Sequence, residues 1–77
     1  MMSATVVMDG HILDSLLLPK VLDLIVSSGS EYEIEEIVIG RTRHDSSHAV
    51  IRVEANSQDA LAQLLKDVAA HGAVARP

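Results

Sequence analysis

Three side chains with chemical potential stand together after the first glycine, in the run Gly10-His11-Ile12-Leu13-Asp14-Ser15. An imidazole, a carboxylate and a hydroxyl are the groups of a nucleophilic set. Such a set needs a base in contact with its nucleophile and an oxyanion pocket, and nearness in sequence supplies neither. Two readings remain. Asp14 or Ser15 organises the turn before a helix through side-chain to backbone bonds. Alternatively His11, Asp14 and Ser15 contact a small ligand, since a strand–helix junction offers free backbone N–H groups to an anion. A second group is Arg41-Thr42-Arg43-His44, the one basic cluster of the chain. The Arg41 and Arg43 forks suit a carboxylate or a phosphate. They equally suit a solvated hairpin tip, paired with Glu35, Glu36 or Asp45. His44 and His48 are spaced as ligands on a helix would be, but they flank a hairpin loop. With no Cys and no third ligand at a zinc spacing, no metal site is expected. No catalytic residue and no cofactor are assigned.

These groups must be held by a very small scaffold. The chain has 77 residues and no cysteine, so it is read as a single domain, 1–77, without disulfides. A domain of that size buries only about 60% of its unfolded-chain surface. The apolar fraction is 48%, and Tyr32 is the sole aromatic residue, so the core must be aliphatic. Net charge is −5 and aromatics are nearly absent, which disfavours nucleic acid as a partner. No apolar run approaches the ~20 residues of a membrane span, and no signal peptide is apparent. The expectation is a cytoplasmic protein with no membrane partner.

Hydrophobic spacing gives the elements. Residues 4–9 read as a strand stopped by Gly10. Leu18, Val21, Leu22 and Ile25 recur at helical period, with Pro19 at the first helical position and Gly29 ending the helix. Residues 31–39 form a second strand whose alternation slips at Glu35-Glu36, as a β-bulge produces. Residues 48–55 form a third strand after a polar hairpin loop. A second helix starts near Ser57, with Asp59 in its first turn and the stripe Leu61, Leu64, Leu65 and Val68. Gly72 ends it, and Ala73-Val74-Ala75 begin a short fourth strand. The order is βαββαβ. Two helices with one apolar stripe each belong on one face of a sheet. Crossover rules then give an α+β, ferredoxin-like arrangement: an antiparallel sheet of order 4-1-3-2 with a short last strand.

Core-facing positions in that sheet are Val6 and Met8, then Ile34, Ile37 and Ile39, then Ala49, Ile51 and Val53. Val7, Val38 and Val50 fall on the opposite face and are expected to form an apolar strip. That strip is either ordinary strand propensity or a covered surface. The covering partner would be a second copy packed sheet on sheet, or another domain of a larger enzyme. Glu31, Glu33, Glu35 and Glu36 read as the wet edge of the second strand, which also discourages edge-to-edge association.

Gly10-His11-Ile12-Leu13-Asp14-Ser15 and Val21-Leu22-Asp23-Leu24-Ile25 resemble the conserved region named for lysine-oxoglutarate reductase/saccharopine dehydrogenase bifunctional enzymes. The likeness continues through Tyr32-Glu33-Ile34, Ile39-Gly40, the arginine loop, Asp45-Ser46-Ser47-His48-Ala49 and Gly72-Ala73. It differs in the loop, where the family pattern has Pro and Tyr at the positions of Ser46 and His48. The resemblance implies an ACT-like module beside a separate nucleotide-binding portion, in proteins linked to ornithine cyclodeaminase or to cyanobacterial arginine-degrading enzymes. Catalysis and NAD binding would then lie outside these residues, and the chain has no Gly-x-Gly-x-x-Gly. The leading expectation is a non-catalytic oligomerisation or regulatory module, taking an amino acid or small anion at His11, Asp14, Ser15, Arg41 and Arg43. One alternative is the structural N-terminal part of an ornithine cyclodeaminase or related enzyme, with the same loop completing a neighbouring active site. The other is a ligand-free interaction domain.

Overall fold

The computed structural model describes residues 2–10, 16–40 and 46–76. The elements in chain order are β1 (Met2–Gly10), α1 (Leu17–Ser27), β2 (Glu31–Val38), β3 (Ser47–Ala55), α2 (Gln58–Ala69) and β4 (Val74–Ala75). The four strands form one sheet of order β2-β3-β1-β4, and every pairing is antiparallel. This is the ferredoxin-like arrangement expected from the hydrophobic pattern, short last strand included.

β3 is the spine of the sheet. It pairs along its whole length with β1, from Ser47 opposite Gly10 to Ala55 opposite Met2, and on its other side with β2. Its helix-side residues Ala49, Ile51, Val53 and Ala55 are all at most 1% exposed, as are Val6 and Met8 of β1. Leu18, Val21 and Ile25 of α1, with Leu61, Leu64 and Val68 of α2, close the core from above. Leu22 and Leu65 are only partly buried at the margin of that cluster.

The helix ends follow from local chemistry. Ser57 caps α2, its hydroxyl accepting from the Ala60 N–H at 3.1 Å. Replacing it by Ala should cost about 1 kcal/mol, read as a fall of roughly 4–8 °C in Tm. No change in Tm would mean the cap contributes nothing. α1 ends in a Schellman motif: Gly29 donates to Val26 O and Ser30 to Ile25 O, with Gly29 at φ +82°. Gly72, at φ +90°, supplies the same left-handed turn after α2.

α1 begins at Leu17, so Pro19 is its third residue rather than its first. The shift is harmless, because the N–H of a third helical residue has no partner within the helix. The N-cap is Leu16, which sits at φ +61° without a side-chain capping bond and is 68% exposed. A leucine is strained there. Leu16→Gly should therefore raise the stability of the isolated chain by about 0.5–1 kcal/mol, and a denaturant midpoint that falls instead would contradict this.

β2 departs from expectation. The bulge lies where the alternation slips: Ile34 pairs with Ile51 and Glu36 with Val50, which leaves Glu35 without a partner. Tyr32, Ile34 and Ile37 do pair with core residues of β3 and so share the helix side of the sheet. They are nevertheless not core, being 40%, 38% and 44% exposed, and Ile39 is 59% exposed. An edge strand has a neighbour on one flank only. α1, about 16 Å long, cannot shield a strand of about 26 Å over its full length.

Candidate functional site

Ser47 is the anchor of the site. It starts β3, is 7% exposed, and pairs in register with Gly10 at the end of β1. Its hydroxyl accepts from the Gly40 N–H at 3.1 Å. Gly10 is the residue before His11, and Gly40 the residue before Arg41. Both segments carrying the candidate ligand contacts are thus rooted side by side, at one end of the sheet. His11, Asp14, Ser15, Arg41 and Arg43 themselves lie outside the described residues, as does His44.

The open face, away from the helices, is organised in rows across the strands. Val7 stands directly opposite Val50, and Val74 of β4 opposite Val7. Val38 is opposite His48, one row aside, so it neighbours this apolar row diagonally and not in line. Val50 is only 4% exposed and Val7 half-buried, while Val38 is 53% exposed. The polar rows on either side explain the burial of Val50. On one side His48 Nδ1 bonds the Asp9 carboxylate, and its Nε2 lies 3.8 Å from Glu36 Oε2. A carboxylate only accepts, so Nδ1 carries the proton in that bond. On the other side Arg52 reaches Glu33 at 2.7 Å and Glu54 at 3.7 Å. These pairs are largely exposed and worth only about 0–1 kcal/mol each. They tie His48 and Arg52, the same-face neighbours of Val50 along β3, to the adjoining strands.

None of these cross-strand pairs was foreseen, because a pairing depends on register and register is not written in composition. The available signal was the run His48, Arg52 and Glu54 at alternate positions of β3, facing Glu33 and Glu36 of β2. Arg52 also lines a shallow groove of about 250 Å³ with Glu31, Tyr32, Glu33 and Glu54. This groove lies at the opposite end of the sheet from Gly10 and Ser47, and it is small for a ligand pocket. Among the described residues no group of three His, Cys, Asp or Glu is placed to hold a metal ion, and no helix is long and apolar enough to cross a membrane.

Sheet order, the pair of helices on one face and the shared root of two loops define the class: a ferredoxin-like α+β module. Residues 3–76 match the LOR/SDH bifunctional enzyme conserved region, and the chain belongs to that family. It is 47% identical over 64 residues to an ornithine cyclodeaminase of Methanothermobacter thermautotrophicus, covering 83% of this chain and 16% of that protein. It is 32% identical over 69 residues to the bifunctional arginine dihydrolase/ornithine cyclodeaminase AgrE of Nostoc, covering 90% of this chain and 10% of that one. Two solved structures share the fold over 99% of this chain at 30% identity. They are apo ArgZ, a cyanobacterial arginine dihydrolase, with a TM-score of 0.90, and AgrE in ternary complex with ornithine and NAD+, with a TM-score of 0.92. The chain spans 12% and 11% of those two proteins.

Proposed function

We propose that this chain serves as a non-catalytic module of an ornithine-cyclodeaminase-type enzyme, holding its loops against a separate nucleotide-binding portion. One observation carries the reading: 83% of the chain aligns at 47% identity with only 16% of an ornithine cyclodeaminase. Dinucleotide binding and chemistry then belong to the larger remainder of such an enzyme, consistent with the lack of a Gly-x-Gly-x-x-Gly run here. The convergence of Gly10, Gly40 and Ser47 supports a joint role for the two loops at one end of the sheet. In that role His11, Asp14, Ser15, Arg41 and Arg43 contact an amino acid or small anion at the boundary with the catalytic portion.

The test is a chimera. The matching region of the Methanothermobacter enzyme is replaced by this chain, and NAD-dependent ornithine consumption is measured. Retained activity that falls on Asp14→Ala supports the reading. An inactive chimera, in a protein that still binds NAD, counts against it. Calorimetry of the isolated chain with arginine, ornithine, lysine and proline separates autonomous sensing, which gives binding, from a contact completed only by the partner, which gives none.

A further inference from the structure

The geometry points to the helix side of β2 as the surface on which the catalytic portion seats, through a patch of that portion that is apolar at its centre and basic at its rim. This rests on the module reading above. All eight residues of β2 are exposed. Their helix-side members Tyr32, Ile34 and Ile37 continue the core row by row beyond its edge, each opposite a buried β3 residue. The apolar surface continues past the last residue of β2 toward the loop root, with Ile39 59% exposed. Leu16 stands at that same end, because α1 runs antiparallel to β2 and leads into it through Ser28–Ser30. A left-handed, two-thirds exposed leucine with no capping bond is a poor choice for α1 alone, and a good one if its side chain is needed by a neighbour.

Charge identifies the occupant. β2 carries Glu31, Glu33 and Glu36 on the open side of the sheet, along the edge that bounds the helix-side patch, and Glu35 at the bulge. Arg52 engages Glu33 and His48 lies beside Glu36, whereas Glu31 and Glu35 have no ion pair among the described residues. A second copy added antiparallel at this edge would set carboxylate rows against each other, which is destabilising. A surface rimmed by Lys or Arg is complementary instead. Seated there, the partner would reach the end of the sheet that holds Gly10, Gly40 and Ser47.

The experiment uses the active chimera described above, carrying Ile37→Glu with Ile39→Glu, and the isolated 77-residue chain carrying the same pair. Ornithine consumption should fall at least tenfold in the chimera, or its catalytic portion should become rapidly cleavable by protease. The melting temperature of the isolated chain should move by no more than a few degrees, since both positions are half-exposed. Full activity and unchanged protease resistance in the variant chimera would overturn the surface while leaving the module reading intact. An inactive parent chimera removes both. Sedimentation of the isolated chain as a dimer that the double substitution splits would assign the surface to a second copy and overturn the proposal.

Discussion

Ile51→Ala should remove about 3 kcal/mol of stability, within the range for emptying a fully buried aliphatic site. Ile51 is 0% exposed and sits on the helix side of the central strand, flanked by Val6 of β1 and Ile34 of β2. A chain of 77 residues has only roughly 4–12 kcal/mol in total. Tm should therefore drop by roughly 10–25 °C. The same truncation at Ile37, next to the spine but 44% exposed, should cost about 1 kcal/mol or less. Urea unfolding of the two variants side by side checks this. Equal losses would mean that β2 is as much core as β3, against the observed gradient of burial.

The second large effect falls on the open face. Val50→Glu should destabilise the fold by about 2–3 kcal/mol, although its position faces away from the helices. Val50 is 4% exposed and stands opposite Glu36, so the introduced carboxylate would lose water and meet a like charge. Both effects raise its folded-state pKa above the unfolded value. The sign follows: in that window the folded state binds the extra proton, so the penalty is full above the raised pKa. It is relieved as pH falls toward the ordinary glutamate range. Val38→Glu, at a 53% exposed site facing His48, should stay within about 0.5 kcal/mol of the parent. The difference between these variants, followed by thermal melts from neutral to mildly acidic pH, is the measurement. A Val50→Glu protein as stable as Val38→Glu would show that the flanking ion pairs do not enclose the valine.

What could be read from the sequence divides along the range of the forces involved. Local signals were sufficient for the helices. Ser57 and Asp59 mark the start of α2, Gly29 and Gly72 supply left-handed turns, and the stripes of Leu and Val give the buried faces. Alternation located the strands and even the bulge at Glu35. Coverage was not legible. Ile34 and Val50 are both aliphatic residues on pleated strands, and which is shielded depends on strand order, on helix length and on which long side chains lie alongside. The sequence pattern assigned Ile34, Ile37 and Ile39 to the core by period alone, and period sets the side of the sheet without setting the depth. The site divides in the same way. The candidate residues were recognisable by type, while the meeting of their two loop roots at Ser47 depends on the register between β1 and β3 and on one side-chain bond from Gly40.

The bulge has a consequence for how this chain tolerates genetic change. β3 is paired on both sides, so an in-frame loss of a codon within it would invert every residue beyond the lesion on two ladders at once. β2 already holds one residue more than its partner uses. Removal of Glu35 would leave Ile34 opposite Ile51 and Glu36 opposite Val50, with the phase of the strand intact. The bulge of β2 is thus a place where length can drift by one residue without scrambling sidedness, so that related chains can differ there while presenting the same surface.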